Sequence, residues 1–293
     1  MASIFALIII VVICFVVYAV YKDGQSSGHD YSSPAKSSSK KEGSSKPVTI
    51  FTEISSSDYY DTFLTPNISN QLRFHRYKVK GKNPSTNRMK TCIVVALSGT
   101  TENEIAEKSG FLAPYSVSLD LESLTEQPPS QKQLNYAKDL DISIPLNCSF
   151  ADLSCLISKR KGEDTNDLVT NELMTFAASH GVCISPYAGV LSSVCKTMNS
   201  LDSRDFLAFL AYLIHCVVSS FPIGNLEKSE YKNVFYKFAD SYCDDDEVNE
   251  CTVFEDTHIR YLLEKKHFDG RNKKKAWLFN LISNFLNEHL TKA

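Results

Sequence analysis

The plainest chemistry in this chain is three cations on one face of one short segment. Between Phe74 and Lys80 the residues alternate: Tyr77 and Val79 point one way, and Arg76, Lys78 and Lys80 the other. That is the period of an extended strand. From Arg73 to Lys90 there are seven Lys or Arg and no Asp or Glu, so this face is a candidate anion-binding surface. Phosphate of nucleic acid or of inner-leaflet lipid carries the matching charge. A solvated edge strand guarded by lysine against aggregation would show the same pattern. A second basic group, Lys159, Arg160 and Lys161, could also contact phosphate.

Other reactive residue types do not fall into a recognisable site. There is no G-x-S-x-G, P-loop or H-E-x-x-H, and no catalytic residue or cofactor is assigned. Cys243, Cys251, His258 and His267 are separated by seven, six and eight residues. Structural zinc sites use shorter knuckles, so no metal is expected here. The run Asp244 to Glu247 reads as a solvated loop; it lacks the glycine and spacing of a calcium loop. The nine cysteines form no C-x-x-C pair and read as small buried hydrophobes in a reducing compartment. The sequons at Asn67 and Asn147 would matter only in a secretory compartment.

The elements that must position these residues begin with an apolar rod. The chain has 293 residues and a net charge of −3, enough length for one or two domains. Ile4 to Tyr21 is an unbroken apolar run of 18 residues, roughly 27 Å as a helix and close to a bilayer core. No Lys or Arg precedes it, and Lys22, Lys36, Lys40, Lys41 and Lys46 follow. The reading is a single-pass anchor over residues 1–21, with the N-terminus outside and the C-terminal body cytoplasmic. The rival is a signal peptide cleaved after Ala19, which the missing basic n-region argues against. Residues 22–72 read as a Ser/Lys-rich flexible tether, too poor in large apolar residues to offset the entropy of ordering.

The body reads as α+β and predominantly α. Residues 73–120 form a small basic ββαβ module. Its strands are Phe74–Lys80 and Lys90–Leu97, then comes a helix opened by the Thr101/Glu104 capping box and closed by Gly110, then a strand through Tyr115, Val117 and Leu119. Residues 128–161 form a helical hairpin whose two helices are capped by Ser130 with Gln133 and by Ser149 with Asp152. The plan recurs about 40 residues on. Tyr136-Ala137 matches Phe176-Ala177, and the connector at 141–144 matches 181–184. Leu153, Ser154 and Leu156 match Leu191, Ser192 and Val194 if two residues are dropped from the connector. A tandem pair of short helical hairpins should pack together, an aromatic and a small Ala letting the helices cross closely.

The stretches YKVKGKNPSTNRMKT at 77–91, KSGFLAPY at 108–115 and PPSQKQLNYAKDLDISIPLNCSFADLSCLI at 128–157 resemble a pattern in uncharacterised bacterial and phage-related proteins. No activity travels with that resemblance. Asp141 departs from it, standing where Gly is usual. The helical units also loosely resemble SAP or helix-extended-helix modules, and that likeness implies DNA binding.

Residues 165–293 hold the second hairpin and an all-α domain. The run 206–221 is apolar all round. At 16 residues, with His215 inside, it suits a buried core helix better than a second membrane span. Tyr231–Tyr242 reads as a helix with Val234, Phe235 and Phe238 inward. The last helix carries Trp277, Leu278, Leu281, Ile282, Phe285 and Leu290 on one side, for docking on the core or lying on a membrane. Lys273, Lys274 and Lys275 oppose a helix dipole at its start, so they are expected just before the first turn. The expectation for the whole is a membrane-tethered scaffold recruiting an unknown cytoplasmic protein, with no enzyme activity. The alternatives are a tethered nucleic-acid binder and an unrecognised hydrolase. Expected partners are the bilayer through Ile4–Tyr21 and, at the cations, anionic lipid or nucleic acid.

Overall fold

The computed structural model describes residue 68, residues 70–268 and residues 272–290. The expected anchor and nearly all of the tether lie outside the described residues. The far end of the tether is a correction. Ile68 packs on the first helical unit. Asn171 accepts from the Leu72 backbone and donates to the Asn70 carbonyl, each at 2.8 Å. The body therefore takes hold of the chain by Ile68, ahead of Arg73.

The α+β reading holds, with ten helices and three strands among the described residues. β1 (Phe74–Lys82) lies between β2 (Met89–Leu97) and β3 (Leu112–Leu119), antiparallel to both. Helix α1 (Glu102–Ser109) covers one face of the sheet. Its Ile105 closes a small core with Val79, Val94 and Ala96. The Thr101/Glu104 capping box starts α1, and Gly110, at φ 67°, ends it. Gly81 has a packing reason: a Cβ there would sit 2.7 Å from the Phe111 Cβ.

The two helical units share a backbone plan. The first is α2 (Gln131–Asp139) and α3 (Phe150–Arg160); the second is α4 (Asn171–Ser179) and α5 (Val190–Met198). In each, the two N-cap residues stand 19 positions apart: Ser130 and Ser149, then Thr170 and Gly189. The offset is therefore 40 throughout, and no two-residue gap is needed. The connectors turn alike. Asp141 and Gly181 are left-handed at φ 54° and 75°, and Ile142 N and Val182 N donate to the Ala137 and Ala177 carbonyls at 2.9 Å. The small alanines are both fully buried, as close crossing requires. The aromatic half of that expectation fails, because Phe176 is buried while Tyr136 is 43% exposed. The units do pack together, since Tyr187 of the second enters the core of the first.

Gly189 is a helix N-cap with no side chain of its own. A loop 25 residues upstream does its work. Asp164 Oδ2 accepts from Gly189 N at 2.7 Å, and Oδ1 from Ser192 N at 3.0 Å. Thr165 Oγ1 accepts from Val190 N at 2.8 Å. These bonds satisfy donors that a helix start leaves open.

α6 (Ser203–Ser219) is the centre of the large core, with Leu207 through Ile214 all buried. No helix among the described residues is long and apolar enough to cross a membrane, so 206–221 is a core helix. Around it pack α7 (Lys232–Tyr242), α8 (Asp246–Cys251), α9 (Asp256–Lys265) and α10 (Lys273–Leu290). α10 docks on this core through Leu278, Ile282 and Leu286. Two expectations are corrected. The acidic run is not a loop: Asp245 caps α8, and Asp246 and Glu247 fill its first turn, where acids suit the dipole. The lysine cluster lies inside the first turn of α10 and faces the C-terminus of α8. Lys274 pairs with Glu250 at 2.9 Å, and Lys275 Nζ donates to the Cys251 and Val253 carbonyls at 2.5 Å each. The negative end of α8 offsets the unfavourable end of α10.

Two outcomes follow. Gly189→Ala drives a methyl into the Asp164 carboxylate and the Thr165 carbonyl. It should lower urea-unfolding stability by about 2–4 kcal/mol through overpacking and a disrupted cap. His215, in contact with Phe221, Tyr231 and Phe235, is held below its ordinary pKa of 6.5 by burial, against a weaker pull from Glu230. The native state thus binds this proton less well than the unfolded chain, so stability is full above pH 6.5 and declines as pH falls below it. Thermal unfolding from pH 7 to 5 should show that decline, and His215→Phe should flatten it.

Candidate anion-binding surface

The register places Arg76, Lys78, Lys80 and Lys82 on the sheet face away from α1, opposite Val95, Ile93, Thr91 and Met89 of β2. They share a face, as the alternation requires, but not a fate. Near the helical body each basic side chain meets a carboxylate. Arg73 Nη1 reaches Asp152 Oδ2 at 3.0 Å, and His75 Nδ1 reaches Glu126 at 2.8 Å. Arg76 Nε reaches Asp120 at 3.4 Å, and Lys78 Nζ reaches Glu122 at 2.8 Å. Glu126 also accepts from the Arg76 backbone at 2.8 Å. The turn after β3 thus folds its acids back onto β1.

Further along the strand the pairing stops. Lys80 is exposed and forms no ion pair or side-chain hydrogen bond among the described residues. Around the β1–β2 turn, half-buried Lys82 and exposed Arg88 and Lys90 likewise form no ion pair or side-chain hydrogen bond among the described residues. That turn is held by its own chemistry: Asn83 Oδ1 accepts from Ser85 N and Thr86 N at 3.1 and 3.0 Å. Lys82 continues the strand face of Arg76, Lys78 and Lys80, and Arg88 and Lys90 extend the basic run from 73 to 90 around the turn.

The second basic group is not gathered. Lys159 is buried, with its ammonium lacking a hydrogen-bond partner among the described residues. Burial lowers its pKa, against an opposing pull from Asp164. Arg160 Nε donates to the Leu140 carbonyl at 3.0 Å, fastening the hairpin. Lys161 pairs with Glu163. One side chain points inward, one closes a turn, and one is paired on the surface.

The most completely built polar centre is Asp152, on α3 and 1% exposed. It accepts from Arg73 at 3.0 Å, from Ser149 N at 3.0 Å and from Ser185 Oγ at 2.6 Å. Cysteines nearby are not poised as nucleophiles. Burial pushes Cys148 up to about 12 and Cys155 up to about 11. Cys183, also raised to about 12 by burial, donates to the Phe74 carbonyl at 3.0 Å. A cleft of about 310 Å³ is lined by Arg76, Thr125, Cys183 and Lys196. A second, of about 180 Å³, lies beside Cys195 and Phe254, and an open groove of about 620 Å³ lies beside Arg204 and Tyr236. No histidine lines any of the three. No three His, Cys, Asp or Glu side chains gather for a metal among the described residues.

No protein-family model matches the chain, and neither a curated protein nor a solved structure matches it.

Asp152→Ala leaves the Arg73 guanidinium and the Ser185 hydroxyl without their acceptor. It should cost about 3 kcal/mol in a urea melt, the usual effect of breaking a buried pair.

Proposed function

We propose that this chain is a membrane-tethered interaction protein. Ile4–Tyr21 is the single-pass anchor, and the body works in the cytoplasm, recruiting a protein partner to the membrane. The anchor reading rests on the uncharged apolar run and the lysines that trail it. The interaction reading rests on one observation. Large apolar side chains crowd the surface at the end of β3 and in the turn after it, with Leu119 44%, Leu121 65% and Leu124 54% exposed. Such a cluster at one place fits a partner segment that presents apolar side chains of its own.

Two other features weigh against the alternatives. The three clefts described bring no histidine to a Cys or Ser, so a nucleophile there has no imidazole base. For nucleic acid, the carboxylates beside Arg76 and Lys78 interrupt the basic stripe that phosphate binding needs.

The test is affinity capture with the full chain from detergent-solubilised membranes, comparing wild type with Leu121→Glu/Leu124→Glu. A specific protein retained after nuclease treatment by the wild type, and at least tenfold less by the variant, is the expected result. Equal capture by both removes this surface from the reading, and loss of all capture on nuclease treatment favours the nucleic-acid alternative.

A further inference from the structure

The sheet module is polarised along its strands. β1 leaves the helical body at Phe74 and reaches the β1–β2 turn at Lys82; β2 begins there at Met89 and returns to the body at Leu97. α1 runs outward from Thr101, and β3 starts at the outer end, with Leu112 opposite Lys82. The outer end therefore collects Lys80, Lys82, Arg88 and Lys90, with Lys108 in the last turn of α1. None of these five is in an ion pair among the described residues. At the inner end, Arg73, His75, Arg76 and Lys78 are all paired. Among the free cations stand two large apolar side chains, Met89 and Leu112, 49% and 54% exposed.

We propose that this outer end of the module docks on an anionic membrane surface, the cations meeting lipid phosphate and carboxylate while Met89 and Leu112 enter the headgroup boundary. The combination is what a lipid surface rewards: unpaired positive charge beside exposed apolar groups at one end of the sheet. Nucleic acid fits it less well. Phosphate contacts alone would leave Met89 and Leu112 in water, 49% and 54% exposed. The proposal goes beyond the scaffold reading. It assigns the body an orientation at the bilayer, and it places the Leu119–Leu124 surface toward the inner end of the module.

The experiment is amide hydrogen exchange on the full chain with vesicles of phosphatidylcholine alone or mixed with phosphatidylserine. Amides of residues 80–92 should gain protection on the anionic vesicles only, and lose it as salt rises. The variant Lys80→Gln/Lys82→Gln/Arg88→Gln removes three charges, each worth about fivefold in partitioning. It should abolish the protection while exchange in α6 stays unchanged, which shows that the fold is intact. Met89→Gln/Leu112→Gln should weaken the protection without altering the net charge. Protection that is absent on anionic vesicles, or equal on both kinds, overturns the proposal. So does protection of the same amides by duplex or single-stranded nucleic acid but not by phosphatidylserine. If the chain fails to float with phosphatidylcholine vesicles, the anchor reading falls instead. Docking then stands if the anionic vesicles alone carry the chain, and falls if they do not.

Discussion

A carboxylate taken out of water must find enough donors to replace its hydration, and Asp152 finds them in three different parts of the chain. Arg73 comes from the segment leading into the sheet, Ser149 from its own helix start, and Ser185 from the connector of the second helical unit. Remove any one part and the others hold a buried charge that costs several kcal/mol. This constraint fixes where the sheet module sits on the paired helical units. Just ahead of Arg73, Asn171 binds the backbone of Asn70 and Leu72, so residues from Ile68 belong to the body. Glu126 repeats the device one layer out, binding the His75 ring and the Arg76 backbone together.

Two helix ends in this fold are completed by neighbours. Asp164 and Thr165 cap α5 from a loop, and Lys275 closes α8 from α10. This is why the two helical units keep one backbone plan while their side chains diverge. Ser149 caps its own helix, so position 149 must carry a hydroxyl or its equivalent. At position 189 the cap comes from elsewhere, and any Cβ would collide with it. The 40-residue offset is a property of the backbone. An alignment of similar side chains shifts it by two, because Leu153 and Leu191 serve neighbouring rather than equivalent positions.

Local chemistry was legible where a Ser or Thr cap stands three residues before Glu, Gln or Asp. The reciprocal caps at Thr101, Ser130 and Ser149 lie within three residues of their partners, and the helices start where those residues stand. The ββαβ order followed from alternation and one capping box. The pairings that escaped are long-range. Asp120, Glu122, Glu126 and Asp152 are 44 to 79 residues from the cations they pair. The acidic run at 244–247 escaped for a local reason. Its composition said solvated, but Asp245 three residues before Val248 is also an N-cap, and Val248 and Cys251 were the apolar pair that the new helix buries. α9 went unread because its cap, Glu255 with His258, is an uncommon pair of residues for that role.

The charge gradient of the sheet module follows from the direction of α1. A helix places its positive end where it begins, so Glu102 and Glu104 belong at the inner end and Lys108 at the outer. The turn after β3 then supplies Asp120, Glu122 and Glu126 at the inner end as well, because β3 finishes there. Apart from Glu107 in the last turn of α1, the acids of the module are thus at one end, and the alternating strand continues past those that pair with it. Sequence composition alone sees seven cations and no acid between residues 73 and 90 and treats them as one surface. The topology divides them into a set spent on holding the body together and a set left free. Only the second can bind anything outside the chain without first giving up a bond inside it.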